Sequence, residues 1–77
     1  MIKAYILIIV VPGMTKEVYD TLRKIDELEE CHEVMGPYDI VAVVETTNLS
    51  DIPPLLSNQI RQIPGVSRTT SLVTFPE

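Results

Sequence analysis

Residues 2–11 read Ile-Lys-Ala-Tyr-Ile-Leu-Ile-Ile-Val-Val, a run that is apolar at nearly every position. In an extended strand successive side chains point to opposite faces, so Ala4, Ile6, Ile8 and Val10 share one face while Tyr5, Leu7, Ile9 and Val11 share the other. Such a strand must be covered on both sides. The chain has only 77 residues, and a domain of that size buries only about 60% of its unfolded surface. Its core is therefore expected to be completed by a partner.

Pro12-Gly13 ends this strand, and Thr15 is the expected N-cap of the next segment. From residue 16 the period changes: Val18, Leu22, Ile25 and Leu28 recur at helical spacing among charged residues, which predicts a one-sided amphipathic helix. Residues 30–35 read as a short strand, Gly36-Pro37 as a tight turn, and residues 38–46 as another doubly apolar strand. Asn48 or Ser50 can cap a second helix with Ile52, Leu55, Leu56, Ile60 and Ile63 on one side. Pro53-Pro54 then falls in its first turn, where missing N–H groups do least harm. Pro64-Gly65 stops this helix, residues 66–75 form the last strand, and Pro76 closes it.

The order βαββαβ predicts an α+β, ferredoxin-like fold, a four-stranded antiparallel sheet with two helices on one face. Two helices can cover that face alone. Because strands one and three are apolar on the other face too, the sheet of a second copy is the economical cover, and a sheet-to-sheet homodimer is expected.

Composition removes several function classes. Apolar residues are 45% of the chain, aromatics only 5%, and Trp is absent, so the filling is aliphatic and the chain folds. A net charge of −5 opposes the Lys/Arg surface that phosphate binding needs, so no direct nucleic-acid contact is expected. The N-terminal apolar run is half of a membrane span and ends at Pro-Gly without a small-residue cleavage site; the expectation is a cytoplasmic protein without a membrane partner. The single cysteine, Cys31, makes no internal disulfide and no metal-ligand set. Cys31 and His32 are adjacent, so on a strand they point to opposite faces and cannot act as nucleophile and base. The acidic stretch at Asp26, Glu27, Glu29, Glu30 and Glu33 reads as a solvated surface. There is no P-loop, GxGxxG or CxxC, and no catalytic residue, metal or cofactor is expected.

The segment "ECHEVMGPYDIVAVV" (residues 30–44), followed by "IPGVSRTTSLV" (residues 63–73), resembles the effector-binding domain of the Lrp/AsnC family of transcriptional regulators. That module is also called RAM, for regulation of amino acid metabolism. The features that carry the likeness are Gly36-Pro37-Tyr38-Asp39, Glu30-Cys31 shortly before it, Pro64-Gly65-Val66, and the hydroxyls of Thr69 and Ser71. The resemblance spans essentially the whole chain. It implies the βαββαβ fold, dimers formed face to face through the sheets as a dimeric α+β barrel, and assembly of dimers into an octamer or similar ring. It also implies that a small amino acid binds where neighbouring dimers meet. Full-length regulators of the family carry an N-terminal helix-turn-helix, whereas strand one here begins at the first residues. The expectation is a stand-alone sensing module, residues 1–77 forming one domain without a helix-turn-helix and co-assembling with full-length Lrp/AsnC regulators.

A free amino acid presents an ammonium and a carboxylate, so its site needs an anionic or carbonyl acceptor and a set of N–H or hydroxyl donors. Asp39 can meet the ammonium, or it can instead fix the turn through local backbone N–H groups. Gly36 allows close backbone approach or simply serves the hairpin, and Pro37 stiffens it. Tyr38 can stack on the ligand or pack in a junction. Met35 can line an apolar pocket or fill a gap. Thr69 and Ser71 share a face of the last strand and can bond a carboxylate, although Thr is also an ordinary strand residue; Thr70 and Thr74 point the other way. Two other functions share this topology, a small dimeric isomerase or monooxygenase and a pure oligomerisation scaffold. An enzyme would show a His or Asp facing a cleft between sheet and helices, where this sequence places aliphatic residues.

Overall fold

The computed structural model describes residues 1–75, so the expected closure at Pro76 lies outside the described residues. Its elements are β1 (Ile2–Val10), α1 (Thr15–Leu22), β2 (Leu28–Glu33), β3 (Ile40–Thr46), a helical segment built of Leu49–Asp51, α2 (Ile52–Leu55) and Leu56–Ile60, and β4 (Val66–Val73). The sheet order is β2-β3-β1-β4, and all neighbours are antiparallel. This is the ferredoxin-like α+β arrangement, with the two most apolar strands at its centre.

Where boundaries differ from the pattern, local hydrogen bonds explain the shift. The Met14 N–H bonds Val11 O and the Val18 N–H bonds Met14 O at 3.0 Å, so the Pro-Gly turn itself launches the helix. Thr15 is thus the first helical residue and makes no cap, the cap position being that of Met14. Helix α1 is also shorter than its apolar period. After Leu22 the bonds tighten, Lys24 N–H to Thr21 O and Ile25 N–H to Leu22 O, and Leu28 opens β2. Ile25 and Leu28 still pack on the core, one from a turn and one from a strand.

Residues 34–39 form a longer connection than the expected tight turn, because β2 ends at Glu33 and β3 begins at Ile40. Neither Asn48 nor Ser50 caps the second helical segment by side chain. The Thr46 hydroxyl organises its entry instead, donating to Asp51 Oδ2 at 2.9 Å and accepting the Asn48 N–H at 3.1 Å. Pro53-Pro54 does lie in the first turn, and the last turn widens so that Arg61 N–H reaches Leu56 O.

The core forms between the helices and one face of the sheet. Ala4, Ile6 and Ile8 of β1 and Ile40 and Ala42 of β3 are fully buried against Val18, Leu22, Ile60 and their neighbours. On the other face Tyr5, Leu7, Ile9 and Val41 remain partly exposed, and Leu72 of β4 is 54% exposed. The double apolarity of β1 and β3 thus meets helices on one side only.

Gly65 holds the last helical turn against the start of β4. Its φ is +101°, and a Cβ there would stand 2.9 Å from Val18 Cγ2 and 3.1 Å from Met14 Cβ. Gly36 has φ +137° with nothing within 4 Å of a built Cβ, so only its backbone needs glycine. Gly65→Ala is therefore expected to destabilise by about 2–4 kcal/mol and Gly36→Ala by about 1 kcal/mol. Urea denaturation of the two variants measures the difference.

Candidate functional site

The candidate residues of the β2–β3 connection fall at one end of the sheet. At the end of the β2–β3 connection the backbone of Asp39 bonds on both sides, its N–H to Ile8 O at 2.9 Å and its carbonyl accepting the Val34 N–H at 2.9 Å. Its carboxylate Oδ2 accepts the N–H of Val10 at 2.8 Å. The reason lies in the register: the β1–β3 pairing stops at Ile8 and Ile40, and the β1–β4 pairing slips between Ile9 and Val10. Val10 is nearly buried, so its N–H needs an acceptor, and the Asp39 side chain extends the ladder by one bond. Of the two roles open to Asp39, the local one is occupied in this chain.

Around this anchor the connection projects outward. Met35 is fully exposed, Gly36 and Pro37 are exposed, and Tyr38 is half-buried. Thr69 and Ser71 lie on β4 opposite Ile8 and Ile6, hence on the helix-covered face, while Thr70 and Thr74 lie on the open face. Strand β1 separates β4 from β3, so the hairpin end and the hydroxyls stand about two strand spacings, roughly 10 Å, apart. None of the four principal surface cavities is lined by residues 34–39. A single chain therefore does not gather the seven candidates into one pocket.

One cation joins this set from outside the sequence reading. Arg61 Nε donates to Thr69 Oγ1 at 3.3 Å, and Arg61, Arg68 and Thr69 line a cavity of about 280 Å³ with Val66 and Ser67. The available signal was the Pro64-Gly65 reversal, which turns the last helical residues back onto the start of β4. A larger hollow of about 510 Å³ has the opposite character, carrying Asp26, Glu27, Glu29, Glu45 and Asp51 with the amides of Asn58 and Gln59. A carboxylate ligand is repelled there.

The sulfur and imidazole are separated as the alternation requires. Cys31 pairs with Ala42 on the helix side and is half-buried, whereas His32 pairs with Val41 on the open face and bonds Glu30 Oε1 at 3.0 Å. Burial pushes the Cys31 thiol up from its ordinary value, with Arg23 opposing the shift and Glu33 adding to it. Among the described residues, no group of three or more His, Cys, Asp or Glu is placed to hold a metal, and no helix is long and apolar enough to cross a membrane.

The model of the Lrp/AsnC ligand binding domain matches residues 3–77, and the chain belongs to that family. It is 37% identical over 72 residues to the HTH-type transcriptional regulator FL11 of Pyrococcus abyssi, a match covering 94% of this chain and 47% of that protein. Among solved structures it is similar to TTHA0845 from Thermus thermophilus, with a TM-score of 0.93 and 27% identity over 100% of this chain and 96% of that one. It is also similar to a feast or famine regulatory protein from M. tuberculosis complexed with L-methionine, with a TM-score of 0.82 and 26% identity over 100% of this chain and 52% of that one. The chain spans about half the length or less of the curated relatives it matches.

Two variants separate the roles open to Asp39. Asp39→Ala removes the Val10 acceptor and is expected to cost about 1–3 kcal/mol, while Asp39→Asn keeps an oxygen there and is expected to lose under about 1 kcal/mol; chemical denaturation reads both. A raised thiol pKa means that the fold favours the neutral form. Its stabilising contribution is full below the unfolded value, near 9.0, and fades as pH rises through the folded value. Iodoacetamide is accordingly expected to alkylate native Cys31 more slowly at pH 8 than the urea-unfolded chain, a rate followed by mass spectrometry.

Proposed function

We propose that this chain is an oligomeric amino-acid-binding module that senses its ligand at the junction between dimers and tunes transcriptional regulators of its family. The observation that carries this reading is the division of the candidate groups. Met35, Gly36, Pro37, Tyr38 and Asp39 project from one end of the sheet, Thr69 and Ser71 lie on an edge strand, and none of the hairpin residues borders one of the principal cavities of a single chain. A small zwitterion is enclosed at such a place only when a second chain closes over it. The hairpin supplies backbone N–H and C=O groups beside an Asp39 whose Oδ1 faces no partner among the described residues, and Arg61 with Thr69 supplies carboxylate-binding donors. The relative solved with L-methionine supports an amino acid as the ligand class.

In this scheme the open face of the sheet packs on the same face of a second copy, and dimers meet through their hairpin ends to form an octamer or similar ring. A ligand held between dimers stabilises whichever assembly completes the site, so ligand affinity and assembly state are linked in both directions. Co-assembly with full-length regulators follows the same route, because the shared module occupies about half of each of those relatives. Catalysis has less support: His32 is exposed and engaged with Glu30, and Cys31 faces away from it.

The test is sedimentation of the purified protein against each of the twenty amino acids, with thermal unfolding in parallel. One chemical group of amino acids is expected to move the protein to a larger assembly and, at about a hundredfold excess over Kd, to stabilise it by about 2.7 kcal/mol. Absence of both effects with every amino acid contradicts the proposal.

A further inference from the structure

A cavity of about 320 Å³ lies at the end of the sheet away from the hairpin, lined by Met1, Lys3, Tyr5, Glu45, Thr74 and Phe75. Lys3 stands near the start of β1, about 23 Å along the strand from Val10 and its Asp39 anchor. The cavity therefore shares no residue with the candidate site at the hairpin. Its charge also differs. The hollow of about 510 Å³ is lined by carboxylates without a cation, and the cavity beside Arg61 by cations without a carboxylate, whereas this one holds one of each.

The backbone sets the two charges against each other. Register places Lys3 of β1 opposite Glu45 of β3. Both backbone groups of Lys3 are engaged on its other side: its carbonyl accepts the Thr74 N–H at 2.8 Å and the Thr74 hydroxyl at 3.0 Å, and its N–H donates to Thr74 Oγ1 at 3.1 Å. Lys3 and Glu45 are thus a pair without ladder bonds between them. Such pairs are the closer kind, with Cα atoms about 4.5 Å apart and side chains rising together from one face. Among the described residues, neither forms an ion pair within the chain. Thr74 serves as a clamp, because its hydroxyl hydrogen is already given to Lys3. Tyr5 lies one row inward on the same face, and the largely exposed Met1 and Phe75 add apolar walls outside the core.

We infer that this cavity is a second binding site, for a small zwitterion with an apolar side chain: Lys3 holds the carboxylate, Glu45 the ammonium, and Tyr5 with Phe75 the side chain. It uses residues of one chain and stands apart from the junction site proposed above. A plain acid or a plain amine satisfies one of the two charges and leaves the other unmatched, so the zwitterion is preferred over both. Because the cavity lies at the end of the open face, a second copy packed there either walls it or fills it, and binding tells the two apart.

Titration of L-leucine into the intact chain, followed by amide chemical shifts to about 50 mM so that a millimolar Kd is covered, tests this. Saturable shifts are expected at Lys3, Tyr5, Glu45 and Phe75. Isocaproate, which lacks the ammonium, and isoamylamine, which lacks the carboxylate, are each expected to bind there about fivefold or more weakly, as is L-leucine to Lys3→Met and to Glu45→Gln. The reversed pair Lys3→Glu/Glu45→Lys keeps one charge of each sign and is expected to recover the Kd to within about threefold of wild type. The two analogues test the same charges on the wild-type chain, so the result does not depend on how a variant folds. Shifts confined to residues 34–39, Thr69 and Ser71 overturn the second site and leave the junction reading standing. Absence of shifts at the four named amides, or equal affinity for L-leucine and either analogue, also overturns it.

Discussion

Strand β1 is the constraint on which the rest of the structure depends. It lies between β3 and β4, and its side chains are apolar in both directions, so whatever folds around it must exclude water above and below the sheet. Helix α1 and the second helical segment do so on one side, where Ala4, Ile6 and Ile8 are fully buried. Apolar surface removed from water on that side stabilises the fold at about 25 cal/mol per Å². The other side leaves Tyr5, Leu7 and Ile9 partly in water, which is the apolar surface that the proposed second copy would cover.

The end of β1 shows how one polar side chain is fitted to that constraint. Pairing with β3 stops while Val10 is still nearly buried, and the Asp39 carboxylate supplies the missing acceptor. An aspartate directly before a buried strand is thus explained by the ladder it extends. Because one oxygen is committed to Val10, the turn is held in place while its exposed tip and the second oxygen stay available.

Fold topology was legible because it rests on the length and spacing of apolar runs along the chain. Continuous apolar, β-branched runs in residues 2–10 and 40–46, helical spacing at Val18 and Leu22 and again from Ile52 to Ile63, and Pro-Gly pairs between them leave few other arrangements. Boundaries were less legible, since they turn on single hydrogen bonds: the Met14 bond to Val11 starts α1 early, and the Thr46 hydroxyl displaces Asn48 and Ser50 from the expected capping role. The site was the least legible part. Residues 36–39, Thr69 and Ser71 were marked by family resemblance, but their separation across β1 follows only from the strand order. Arg61 carries no signal in the sequence, because it meets Thr69 through a chain reversal and periodicity does not report such a contact.

A second copy on the open face of the sheet is proposed to complete the folding of this chain. Thermal unfolding over about a hundredfold range of protein concentration tests it most directly, because association that favours the folded form makes the midpoint depend on concentration. A midpoint that rises steadily with concentration is expected. A midpoint that stays constant across the range, together with monomeric sedimentation at its upper end, would contradict it.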